Sequence, residues 1–137
     1  MKRHLIIALA LLITTMANAQ KTPVKAVFDV SSSNEDLHET VVRHIGLMAK
    51  AYPDSEFELV AYGGAYAMLV DGISTVKSGI SEITKMDNVS VVVCQVALEK
   101  HGKNKSDLIP GVGSVPDGIY ELLLRQQEGW GYIKEMK

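Results

Sequence analysis

Residues 89–100 carry two hydrophobic patterns in succession. Val89, Ser90, Val91, Val92, Val93 and Cys94 form a nearly continuous apolar run with four β-branched valines, which predicts a buried strand. After Gln95 the pattern changes to one with helical spacing, through Val96, Ala97 and Leu98, and this helix is expected to end at His101 and Gly102. The only cysteine of the chain, Cys94, stands at the junction.

The same two periods alternate along the rest of the chain. Residues 24–30 alternate and are rich in β-branched side chains, which predicts a first strand. Residues 31–34 offer several N-caps, and Ser32 with Glu35 has the spacing of a capping box. Leu37, Val41, Ile45 and Met48 then recur at three- and four-residue steps, predicting an amphipathic helix to about Tyr52, stopped by Pro53. Residues 57–62 read as a second strand closed by Gly63 and Gly64, and the wholly apolar stretch 65–70 as a short buried helix or turn. Ile73, Val76, Ile80 and Ile83 give a further helix to about Met86, and Asp87 and Asn88 turn the chain into the Cys94 strand. Beyond Gly102 a polar loop leads to a short strand at 112–115. A helix with Pro116 in its first turn then runs to Gly129, and a last strand follows at 130–133. Strands alternating with helices at this period indicate an α/β fold with a parallel or mainly parallel sheet covered on both faces.

Composition narrows the functional classes. Lys2, Arg3 and His4, the apolar residues 5–13 and the small-residue site Ala17-Asn18-Ala19 have the layout of a secretory signal peptide (residues 1–19), with cleavage expected before Gln20. That reading implies a periplasmic protein whose residues 20–137 form a single domain, with no membrane contact after cleavage. Without Lys2 and Arg3, 12 of the 14 basic residues remain against 16 acidic ones, a net charge of about −4. Nucleic acid and anionic membrane surfaces, which call for a basic patch, are disfavoured as partners. One cysteine in an exported chain makes no internal disulfide. It is a free thiol, an intermolecular bridge or a group modified in use.

An ordered series of short motifs adds to this reading. Cys94, then residues 107–112 (Asp-Leu-Ile-Pro-Gly-Val), 115–119 (Val-Pro-Asp-Gly-Ile) and 125–133 (Arg-Gln-Gln-Glu-Gly-Trp-Gly-Tyr-Ile) resemble the carboxyl half of DsrE/DsrF-like proteins. The first strand with its serine-rich turn and residues 60–63 fit the amino half more loosely. The resemblance implies a three-layer α/β/α domain around a five-stranded, mainly parallel sheet, assembled as a homotrimer or homohexamer. It also implies that Cys94 matches the cysteine with which sulfur-relay relatives accept sulfur as a persulfide and pass it to a partner protein. Those relatives carry a polar pair after the cysteine where this chain has Gln95 and Val96, and they lack an export signal.

The residues themselves are compatible with that chemistry and with a plainer one. A thiolate carrier needs a reachable sulfur and nearby donors. Gln95 is a candidate donor, Gly63 and Gly64 let backbone amides approach an anion, and His101, Lys103 or Lys105 would favour the thiolate if their loop folds back. The plainer reading makes Cys94 a small hydrophobe at the end of a core strand, in an oligomeric binding or scaffolding module without catalysis. His38 and His44 are six residues apart and point in different directions, so no metal is expected. No phosphate-loop spacing supports a nucleotide, and no cofactor is expected. Any enzymatic role would be at most that of a sulfur carrier or transferase.

Overall fold

The computed structural model describes residues 22–135; the expected signal peptide and the last two residues lie outside them. Five strands, β1 (Lys25–Val30), β2 (Glu56–Ala61), β3 (Val89–Cys94), β4 (Gly113–Val115) and β5 (Gly131–Lys134), form one sheet in the order β4-β3-β2-β1-β5, and every pairing is parallel. The helices are α1 (Glu35–Ala51), α2 (Lys77–Ile83), α3 (Gln95–Lys100) and α4 (Gly118–Gln127), with 3-10 segments at Gly63–Leu69 and Lys105–Asp107. Among the described residues no helix is long and apolar enough to cross a membrane.

The strand order dictates how the two faces are covered. From β1 to β4 the chain steps along the sheet in one direction, and crossovers of constant right hand keep their helices on one side. The single return, from β4 across to β5 on the far side of β1, places α4 on the opposite side. The first face is accordingly thick. Phe28, Phe57, Leu59 and Val93 from the strands pack with Val41 and Ile45 of α1, Ile80 of α2, Met68 and Leu69 of the 3-10 segment and Leu98 of α3. The second face is thin, with Val27, Val60, Val92 and Leu122 at its centre and Tyr62, Val115 and Trp130 around them.

Several local expectations are corrected. The N-cap of α1 is Asn34, whose Oδ1 accepts the Leu37 amide at 3.2 Å, while Ser32 Oγ accepts the amide of Asn34 at 3.1 Å and takes no part in a box with Glu35. Helix α2 starts four residues after Ile73, because the Ser74 hydroxyl donates to the Met68 carbonyl at 2.6 Å and accepts the Val76 amide at 3.2 Å, holding that stretch as turns. Pro116 lies before α4, whose N-cap is Asp117. The stretch 65–70, read as a short buried helix or turn, is largely a 3-10 segment, with Ala65, Met68, Leu69 and Val70 buried within this chain. Large exposed apolar residues sit elsewhere, with Ile119, Tyr120 and Leu123 on α4 and Val96 on α3.

Candidate functional site

Period-two alternation puts the polar residues of the sheet on its thin face. On β1, Val27 and Asp29 face α4; on β2, Glu58 and Val60 do, with Tyr62 just beyond the strand; on β3, Val92 and Cys94. Asp29, Glu58 and Cys94 are all buried, at 3%, 1% and 6% exposure.

Cys94 occupies the place where the topology opens a crevice. It ends β3 and is the N-cap residue of α3, and its strand neighbour in register is Val115 at the end of β4. The chain leaving β3 goes to the thick face and the chain leaving β4 to the thin one, so the two diverge above Cys94. Such a divergence at the carboxyl ends of adjacent parallel strands is where ligands bind in open α/β sheets. A cavity of about 430 Å³ lies there, lined by Tyr62, Gly63, Gly64, Cys94, Val96, Ala97, Lys100, His101, Asp117 and Ile119.

The walls are fixed by ordinary local interactions. Gly63, in the left-handed region at φ +53°, turns the chain out of β2; a Cβ there would meet the Ser31 carbonyl at 3.2 Å. Asp117 Oδ1 accepts the amides of Ile119 and Tyr120 at 2.8 and 3.2 Å, capping α4. Gly118 begins α4 in direct contact with the site: a Cβ on it would stand 3.1 Å from Cys94 Cβ and 3.2 Å from Tyr62 Cβ. The His101 ring, at the end of α3, stacks on Tyr66 with centroids 4.0 Å apart and planes 9° from parallel.

Of the residues singled out from sequence, Cys94, Gly63, Gly64 and His101 therefore share one cavity. Gln95 does not line it. Its side-chain amide donates to Ser114 Oγ on β4 at 3.2 Å, and with Lys103 and Lys105 it borders a separate depression of about 220 Å³.

Beside the cavity stands a second polar cluster that sequence reading missed. Tyr132 donates its hydroxyl to Asp29 Oδ2 at 2.5 Å, and Lys134 Nζ reaches both Asp29 oxygens at 3.1 Å. The same ammonium lies 5.8 Å from the centre of the Tyr62 ring, whose other surroundings include the cavity. The hydrogen bond to Asp29 raises the Tyr132 pKa above its ordinary value. Burial pulls the Lys134 pKa down, but the bond and charge of Asp29 more than offset it, and the net shift is upward. Deeper on the face, Glu58 is paired with Arg125 of α4, which also reaches Glu121 and Glu128 at 3.0 Å and lies over the Trp130 ring. Burial raises the Glu58 pKa against the lowering effect of Arg125, and Glu58 Oε1 has no hydrogen-bond partner. A charged residue inside an otherwise apolar strand, Asp29 or Glu58, was the available sequence signal for both clusters.

The architecture defines the class: an α/β protein with a five-stranded all-parallel sheet flanked by helices. It is shared with solved structures. A protein of unknown function from Methanobacterium thermoautotrophicum, MTH1491, is 26% identical and superposes with a TM-score of 0.75 over 81% of this chain and 98% of its own. The ychN protein from E. coli, 16% identical, gives a TM-score of 0.67 over 82% and 99%. A conserved protein of unknown function from Bacteroides thetaiotaomicron, BT1422, 17% identical, gives 0.65 over 85% and 99%. No protein-family model and no curated protein matches the sequence.

Proposed function

We propose that this chain is an exported DsrE/DsrF-like protein that carries sulfur on Cys94. The observation that bears the weight is the position of the thiol at the divergence of β3 and β4, in the wall of a cavity large enough for a small sulfur compound. In the transfer, the Cys94 thiolate attacks the outer sulfur of a persulfide donor R–S–SH. A bond forms between Cys94 Sγ and that sulfur, the donor S–S bond breaks, and the donor leaves as R–S⁻, with no net oxidation. The loaded persulfide passes its outer sulfur to an acceptor thiolate by the same exchange.

Intact-mass spectrometry after incubation with a low-molecular-weight persulfide tests the proposal. One added sulfur on the wild-type chain and none on Cys94→Ser is the expected result. No added sulfur, together with iodoacetamide alkylation of Cys94 far slower than that of a free thiol, rules out the carrier.

A second reading rests on the low exposure of Cys94 and on the apolar outer surface of α4. In it the thiol is packing, and the chain is a homo-oligomeric binding or scaffolding module assembled through Ile119, Tyr120 and Leu123. Full function of a Cys94→Ser variant would favour this reading.

A further inference from the structure

The charges around the Cys94 cavity are unbalanced in a way that names its ligand. Besides the Cys94 thiol and the Tyr62 phenol, three charged or titratable side chains line it: Lys100, His101 and Asp117. The Asp117 carboxylate already accepts two amides at the start of α4, so its negative charge is compensated by the helix terminus it caps. Lys100 has no such partner, and it makes no ion pair among the described residues. His101 is stacked on Tyr66, and its imidazole carries no negative charge in either of its forms. Behind the Tyr62 wall, Lys134 and Asp29 neutralise one another. The cavity thus presents an uncompensated cation in a chain whose overall charge is negative. The rest of the wall, Val96, Ala97, Ile119 and the Tyr62 ring, is apolar, and Gly63 and Gly64 expose main chain without a side chain over it.

We propose that the cavity selects a small anion as the sulfur donor: a low-molecular-weight compound bearing both a transferable sulfur and a negative charge, with Lys100 as the specificity-determining residue. This rests on the carrier reading of Cys94 and names the donor that reading leaves open. With such a donor the thiolate takes the sulfane sulfur, the donor S–S bond breaks, and the electron pair leaves on the anionic remainder. For thiosulfate the leaving group is sulfite and the product a Cys94 persulfide anion, so atoms and charge balance.

Two measurements separate this proposal from the one it builds on. The first compares alkylation of Cys94 by iodoacetate and by iodoacetamide, the rate ratio being divided by that of 2-mercaptoethanol. A normalised ratio about three- to tenfold above unity at low salt is expected from one partly screened cation in the same cavity as the thiol. It should fall below unity in Lys100→Glu and approach unity at high salt. The second titrates thiosulfate into Cys94→Ser and follows backbone amides by NMR. Shifts confined to Gly63, Gly64 and the end of α3, absent in Lys100→Glu, are expected. A wild-type ratio at or below unity, or one that Lys100→Glu leaves unchanged, overturns the anion proposal even where Cys94 reacts quickly. An inert Cys94 with the thiosulfate shifts intact overturns the carrier and keeps the anion site. An inert Cys94 with no shifts overturns both.

Discussion

Gly118 is wedged against Cys94. A Cβ at position 118 would come within 3.1 Å of the Cys94 Cβ and 3.4 Å of Val60 Cγ1. A side chain fits this corner only where those neighbours give by a few tenths of an ångström. Gly118→Val is expected to lose about 1–3 kcal/mol to overpacking, read from urea unfolding, and to change the alkylation rate of Cys94. Wild-type stability would mean that α4 lifts from the sheet without cost.

The Glu58–Arg125 pair anchors α4 at its other end, and its two halves are unequal. Removing the cation leaves a buried carboxylate, so Arg125→Met should cost about 3–5 kcal/mol at neutral pH. Glu58→Gln should cost much less, because Arg125 retains Glu121 and Glu128. Burial raises the Glu58 pKa above its ordinary 4.5. Its contribution to stability is therefore greatest below that value and declines as pH rises through the folded-state pKa. Stability-versus-pH curves for wild type and Glu58→Gln should diverge across that interval, and parallel curves would refute the assignment.

The clasp on Asp29 predicts an alkaline transition. Tyr132 and Lys134 both have raised pKa values, so each stabilises the fold below its unfolded value and ceases to do so as pH rises through the folded one. Strand β5 is short, pairs with β1 over four residues, and is tied to it by this cluster as well. Above pH of about 10, amide signals of residues 131–134 should shift or broaden before the rest of the sheet. Asp29→Asn should abolish that separate step. An unchanged step in Asp29→Asn would show that the clasp does not govern β5.

Asn88 is a structural counterpart away from the site. Its side-chain amide reaches the carbonyls of Ala49, Tyr52 and Ser55 at 3.1, 3.3 and 3.0 Å, satisfying acceptors at and beyond the end of α1. Asn88→Ala should lose about 2 kcal/mol by chemical denaturation without changing Cys94 reactivity.

If α4 is a subunit contact, the chain of residues 20–137 should run larger than a monomer in sedimentation. Ile119→Glu combined with Leu123→Glu should shift it to a monomer that remains folded by circular dichroism. A wild-type monomer at micromolar concentration would remove the oligomer from the proposal.

Periodicity, read together with β-branched content and turn residues, set out the order of the strands and the four helices, because a short valine-rich run such as residues 91–94 favours a strand and a stripe such as Leu37, Val41 and Ile45 a helix. It also placed Cys94 at a strand-to-helix junction. Local competition by single hydroxyls and amides, Ser74 and Asn34, moved element ends in ways that spacing does not register. Which strand lies beside which was decided only by tertiary structure, and with it everything that crosses the sheet. The return of the chain from β4 to β5 put α4 alone on one face and brought Asp29 within reach of Lys134, 105 positions away. Strand pairing likewise set Lys100, His101 and Tyr62 in the walls of one cavity with Cys94, while Gln95 turned toward Ser114. Side-chain direction at a helix start and pairing between distant strands depend on contacts between segments far apart in the chain, and a single sequence encodes those only through the energy of the whole fold.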